Sequence, residues 1–428
     1  DRYRSDNLTM NFGYDFNEKL RVENYLYYND SLLEYDAVNR SQADNDATDD
    51  QQSTYTGRII YENGKLKNTI SYNNTYILRN TTGNSKRHYY GYRDTINFLS
   101  EYNFNLDNRI IFGLDNEFDK AELYNYYTSS AYSESDEAIY SQYFDLQLRP
   151  REKTYATFGL RRDYHTTAED YYTGRVTMAH LLDNNTKIRG NLGTSVRFPS
   201  LYTYNHGHSL ANKESLKAET GKSIDLGIDK NFPKDNFSLN LTTFFLEYKN
   251  DIKGWESHGG GRVHTYAGED NEFVLKNSNS KTESFGLEFQ SNWKPREDYD
   301  LGFGYTRTES FDGTTCDNPD SSCNDEMNVR VPRHQLNLIG TKIFNDIFSQ
   351  TLKLKYVGER RDYGNINNGF KDVILSNYAV VDWMLNYKLF DTYNLNISAK
   401  NILDKRYSEA LEYKAPGRSI NFMLKKNY

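Results

Sequence analysis

Alternation with a period of two recurs along this chain, and it constrains the fold more than any other feature. In the last ten residues, Ile420, Phe422, Leu424 and Tyr428 fall on one face of an extended strand. Ser419, Asn421, Lys425 and Asn427 fall on the other. Val381, Trp383, Leu385, Tyr387 and Leu389 alternate in the same way with Asp382, Met384, Asn386 and Lys388. Phe237, Leu239 and Leu241, and Leu352, Leu354 and Tyr356, repeat the pattern. A helix would need a period of 3.6. One face suits lipid and the other suits water, as in a strand of a transmembrane β-barrel.

No apolar run approaches the roughly 20 residues of a membrane helix. The longest is of the order of Tyr378-Ala379-Val380-Val381, so a bilayer would be crossed by strands. Hydrophobic residues make up 37% of the chain and mean hydropathy is −0.87, low for a globular core. Yet there are 38 Tyr and 23 Phe, which disorder does not explain. A wide barrel explains both: half of each strand faces a wet lumen, outer loops are polar, and aromatics form belts at the lipid–water boundary. The competing reading is the aromatic core of a sandwich. The net charge of −8 argues against nucleic acid as a partner. With 7 Pro and no linker-like stretch, residues 1–428 read as a single barrel domain.

Short turns such as Asn63-Gly64-Lys65 and Pro233-Lys234-Asp235 alternate with long polar loops, roughly 38–51, 198–216, 252–270, 311–327 and 362–376. Barrels of the outer membrane place turns in the periplasm and loops outside. About 19 strands are expected, one of them over 272–294. An odd number ending in the periplasm starts on the outer side, whereas whole barrels have even counts. The expectation is therefore that an odd number of preceding strands is missing. Asp1-Arg2-Tyr3-Arg4 is charged at once and no export signal follows.

Two regions carry a family resemblance. Leu395-Asn396-Ile397-Ser398-Ala399-Lys400-Asn401-Ile402-Leu403-Asp404-Lys405-Arg406-Tyr407, then Ala415-Pro416-Gly417-Arg418, precede the closing strand. Gly193-Thr194-Ser195-Val196-Arg197-Phe198-Pro199-Ser200-Leu201-Tyr202 precedes Asn212 and Leu216-Lys217-Ala218-Glu219. In that order they resemble the TonB-dependent outer-membrane receptors, with Phe198 for the usual Ala and Ala218 for the usual Pro. The resemblance implies a barrel of 22 strands filled by an N-terminal plug that contacts TonB. Neither the plug nor the first three strands is visible in this chain. It also implies contact with outer-membrane lipid and lipopolysaccharide, and with the barrel-assembly machinery, which a terminal aromatic such as Tyr428 serves. Arg197, Pro199, Leu201, Asn401, Asp404, Tyr407, Pro416, Gly417 and Arg418 read as structural: Pro416 fixes an approach and Gly417 permits a tight exit.

The implied function is capture of a scarce large nutrient, with cobalamin as first expectation, then a ferric siderophore or haem. A plugless diffusion porin is the alternative, and a secreted β-sandwich enzyme the third reading. No catalytic motif is present, and no cofactor is required. A large ligand calls for aromatic faces with a few polar groups. Tyr202, Tyr204, His206, His208, Trp255, His258, Arg262, His264 and Tyr266 supply these in long loops, although interfacial belts use the same residue types. His206 and His208 are also the nearest thing to a metal pair. Asp44, Asp46, Asp49 and Asp50 offer the oxygen ligands of a calcium site, and cobalamin receptors of this family order outer loops with calcium. The same residues fit a solvated acidic loop. Cys316 and Cys323, separated by turn formers, read as a loop disulfide rather than a zinc site.

Overall fold

The computed structural model describes residues 2–35, 46–82, 87–125, 131–201, 216–255, 266–267, 273–277, 281–312, 326–366, 369–390, 392–411 and 413–426. Nineteen long strands, with the two-residue strand Glu326–Met327, form one antiparallel sheet, which matches the expected count. By internal contacts the chain divides into two units. The first holds Asp1–Val176, Gly193–Thr220 and Asn250–Ser278, and the second Thr177–Leu192, Gly221–Lys249 and Asn279–Tyr428.

In the first unit, Tyr3–Asn17, Leu20–Tyr35, Asp46–Asn63, Leu66–Thr82, Arg87–Asn103, Arg109–Asn125, Ala131–Arg151 and Thr154–His165 pair in succession. In the second, Phe237–Lys249, Lys281–Trp293, Tyr299–Asp312, His334–Asn345, Phe348–Val357, Tyr378–Leu389, Tyr393–Lys400 and Ser419–Lys426 do the same. Tyr171–Asp183, Thr186–Arg197 and Glu219–Phe232 complete the nineteen. Tight turns set the register. Asn17 Oδ1 accepts from the backbone N–H groups of Lys19 and Leu20, and Gly64 adopts φ +61° in the Asn63–Lys65 turn, a left-handed conformation that suits glycine.

The alternation read from sequence is realised in the ladders. Leu385 pairs with Ile397 and Ile397 with Phe422, so one face is apolar across three strands. Asn386 with Asn396, and Asn394 with Lys425, make the other face polar. Phe422 is 72% exposed and Leu424 62%, and large apolar side chains are uncovered on strand after strand. In water such a surface would be a severe liability, whereas lipid satisfies it. Buried apolar side chains are few among the described residues, and most of them lie in two small clusters near strand ends. The backbone ladders therefore carry the architecture, as membrane strands require.

Several boundaries differ from expectation. The acidic segment expected as a loop over 38–51 is already strand at Asp46, because the Leu20–Tyr35 ladder continues as far as Tyr35 opposite Asp46. The expected strand over 272–294 splits into Phe273–Asn277 and Lys281–Trp293. The first piece joins Ile252–Trp255 and Tyr266–Ala267 in a separate three-stranded sheet, where a loop was expected. The segment 362–376 likewise belongs mostly to a hairpin, Arg360–Ile366 with Gly369–Leu375. Outside the apolar band the alternation stops signalling, but ladder hydrogen bonds still satisfy the backbone.

Candidate functional site

The strand Thr186–Arg197 runs out of the sheet through Phe198, Pro199 and Leu201, and the chain is described again at Leu216. The two ends of the intervening segment are held together. Leu201 and Leu216 are buried against each other, with Ala121 and Ile252 packed alongside. Pro199 is fully buried. Arg197 pairs with Glu219 at 3.0 Å, and Glu219 also accepts the Ile252 backbone N–H at 2.9 Å. Asn277 reaches across to both sides, donating to the carbonyls of Lys217 (2.8 Å) and Asn250 (2.7 Å) and accepting from the Lys217 N–H. Arg197 and Leu201, expected from the sequence to be structural, thus take part in contacts that hold Leu201 and Leu216 together, and Pro199 is buried beside them in sequence.

Phe198, the departure from the family pattern, has a partner in this chain. Its ring stacks on His165, with centroids 4.4 Å apart and planes at 30°, and Tyr171 meets its edge. His165 is 1% exposed. Its Nδ1 accepts from the backbone N–H groups of Thr167 and Ala168, both at 3.1 Å. That assigns the ring proton to Nε2, which faces Glu137 Oε2 at 3.2 Å.

Below this rim, charged side chains form rows across four strands. Asn97, Asp115, Ser141 and Asp163 are successive cross-strand partners. Arg161 bridges Asp115 (2.9 Å) and Asp163 (2.8 Å), and Ser141 Oγ donates to Asp163 at 2.6 Å. Arg93 clasps Asp119 through two nitrogens, at 2.6 and 2.5 Å, and reaches Glu117 at 3.1 Å. Asn97, Asp115, Glu117, Ser141, Arg161 and Asp163 line a polar cleft of about 460 Å³ together with Phe198. Such a wall holds oriented charge without a free nucleophile–base pair, so it suits binding and passage of a polar solute. Sequence reasoning missed it. The usable signal was charge at i, i+2 and i+4: Arg161, Asp163 and His165 on one strand, Asp115, Glu117 and Asp119 on another.

The second motif builds a knot in the second unit. Asn401, at φ +49°, accepts the Lys405 N–H at 2.9 Å and donates to the carbonyls of Lys405 (3.0 Å) and Pro416 (3.4 Å). Asp404 accepts the Arg418 N–H at 2.9 Å, and a Cβ on Gly417 would stand 2.9 Å from that same carboxylate oxygen. Tyr407 stacks on Tyr378 at 4.1 Å, and burial pushes its phenol up, helped by Glu409 and Asp382. Asp362, with no exposed surface, accepts from Arg330 and from the Leu411 N–H. The structure gives these motif residues fold-closing contacts within the protein.

Of the expected ligand residues, Tyr202, Tyr204, His206, His208, His258, Arg262 and His264 lie outside the described residues, as do Asp44, Cys316, Cys323 and Tyr428. Trp255 and Tyr266 are brought together: each pairs in register with Val274, from opposite sides. Asp46, Asp49 and Asp50 lie on one strand, not in a loop, and Asp50 is paired with Arg79 at 2.7 Å. Among the described residues no group of three or more His, Cys, Asp or Glu is placed to hold a metal.

Residues 1–402 match the family model described as "TonB dependent receptor-like, beta-barrel". A stretch of 153 residues is 24% identical to the ferrienterobactin receptor of Escherichia coli strain K12, covering 32% of this chain and 20% of that protein. The chain thus spans only a fraction of that relative's length. Solved structures share the fold. The FrpB iron transporter of Neisseria meningitidis superposes with a TM-score of 0.79 at 14% identity, over 99% of this chain and 72% of that one. The siderophore receptor PirA of Pseudomonas aeruginosa gives 0.73 at 16% identity, over 99% and 70%. The names of these proteins are those of receptors and a transporter. The chain belongs to the TonB-dependent receptors of bacterial outer membranes, and the part described is their β-barrel.

Proposed function

We propose that this chain is the barrel of a receptor that captures a ferric siderophore outside the cell and passes it through the outer membrane, driven by TonB. The 153-residue likeness to the ferrienterobactin receptor carries this reading. A solved neighbour bound to ferripyoverdine agrees with it. These points put a ferric chelate ahead of cobalamin and of haem. Family membership disfavours the diffusion-porin reading. Calcium at Asp44, Asp46, Asp49 and Asp50 stays attached to the cobalamin reading.

The test is uptake of radioactive iron by a bacterium lacking its own siderophore receptors but retaining TonB, carrying the gene that encodes this chain. TonB-dependent uptake from a catecholate or hydroxamate chelate is expected. Uptake of labelled cobalamin with no response to any ferric chelate would overturn the proposal. Iron uptake that persists in a TonB-deleted strain would restore the porin.

A further inference from the structure

One patch on the polar face of the first unit carries more acid than base. The ladders set its three rows. Arg93, Asp119 and Glu137 stand in register in the first, Thr95, Glu117, Ile139 and His165 in the second, and Asn97, Asp115, Ser141 and Asp163 in the third. Arg161, one row below, joins them by holding Asp115 and Asp163. The patch therefore has five carboxylates, Asp115, Glu117, Asp119, Glu137 and Asp163, against two guanidinium groups, since His165, accepting at Nδ1, brings no charge. Among the described residues, nothing in register alongside makes up the difference. Gly91, Ala121 and Ser135 lie above the patch, Leu99, Gly113 and Tyr143 below it, and Thr75, Asn73 and Ser71 on the strand beside it. The next charges below are already paired, Asp145 with Arg175 at 2.6 Å and Glu101 with Arg109 at 3.6 Å.

Each arginine already serves two carboxylates: Arg93 holds Asp119 and Glu117, and Arg161 holds Asp115 and Asp163. Neither is left for an incoming anion. Asp115 and Glu117 are 22% and 28% exposed and front the cleft that Phe198 also lines. A second observation is independent of this balance. The Glu137 side chain is 6% exposed, and its Oε2 makes no hydrogen bond among the described residues, although His165 Nε2 stands 3.2 Å away. A buried carboxylate oxygen left in that state costs free energy that an entering N–H donor offsets. With Arg93, Asp119 and Ser200, Glu137 lines a second cavity of about 450 Å³.

We propose that this patch receives the cationic arm of a ferric chelate, an alkylammonium group held by Glu117 and Asp115 with the Phe198 ring against its methylene chain. The inference rests on the receptor reading and adds to it the sign of the ligand's charge. The polar face of a membrane barrel lines a wet lumen, and an excess of fixed negative charge there concentrates cations and repels a trianion. Carboxylates beside an aromatic face are also the groups that recognise an alkylammonium.

The probes are the ferric complexes of one linear trihydroxamate, with its terminal amine either free or acetylated, and a ferric tris-catecholate. Binding to the full chain in detergent is read by quenching of tryptophan fluorescence, and uptake in the receptor-deleted strain. The free-amine complex should bind roughly 10-fold or more tighter than the acetylated one, and the trianionic catecholate should bind weakest. In the Asp115→Asn, Glu117→Gln variant that preference should collapse, while affinity for the acetylated complex stays as in the parent, a split that a merely structural role would not produce. Folding is checked by the heat-dependent shift in gel mobility. If the double variant fails to fold, Glu117→Gln alone should reduce the preference. Equal binding of the free and acetylated forms overturns the inference and leaves the receptor reading standing. So does tighter binding of the catecholate, or a preference that survives in the folded variants. If no ferric chelate is bound or taken up, the receptor reading itself fails, and this inference with it.

Discussion

Replacing Asn401 tests whether the C-terminal motif is a structural knot. The side chain makes two good hydrogen bonds to the backbone of Lys405 and a longer one to Pro416, and the residue is only 5% exposed. Losing the two good bonds costs about 1 kcal/mol each, and leaving the Lys405 N–H and C=O unsatisfied adds about 1 kcal/mol. Alanine must also hold φ +49°, at about 1 kcal/mol. Asn401→Ala should therefore cost about 3–4 kcal/mol. Asn401→Gly loses the same bonds without the left-handed penalty and should be the milder change by about 1 kcal/mol. The assay is urea unfolding of protein refolded into lipid vesicles, followed by tryptophan fluorescence. The reasoning fails if Asn401→Ala stays within about 1 kcal/mol of the parent, or if glycine proves worse than alanine.

Four further outcomes follow from the geometry. Gly417→Ala should cost about 1–2 kcal/mol by pushing Asp404 off the Arg418 N–H; in a double-mutant cycle with Asp404→Ala the two costs should be less than additive. Arg197→Ala, despite its place in the family motif, should change stability by less than about 1 kcal/mol, because the arginine is 78% exposed. His165→Phe keeps a ring against Phe198 but strands two backbone N–H groups, so unfolding measurements should show a loss of about 2–3 kcal/mol. Phe198→Ala should cost about 2–3 kcal/mol and speed protease cleavage between Leu201 and Leu216, since the ring anchors one end of that segment.

The strands were legible because lipid imposes a period of two wherever it touches the chain, and Val381 to Leu389 or Ile420 to Leu424 show it plainly. Legibility ended where lipid ends. Asp46, Asp49 and Asp50 look like a loop by composition, yet pairing with Leu32, Leu33 and their neighbours keeps them extended. Ile252–Trp255 and Tyr266–Ala267 are four and two residues long, too short to show any period. The charged rows were hidden for another reason. Arg93 and Asp119 are 26 residues apart, and only the register makes them neighbours. The role of Phe198 likewise needed the position of His165, which alternation along one strand does not give.

The ladder from Tyr35–Asp46 down to Leu20–Tyr61 has a practical consequence. Its 16 residue pairs run roughly 50 Å along the strands and about 40 Å along the membrane normal, well beyond an apolar band of about 25 Å. The end of this hairpin therefore stands some 15 Å clear of the lipid, with its own hydrogen-bonded frame. A graft made between Tyr35 and Asp46 should therefore leave the membrane-spanning part of the ladder undisturbed.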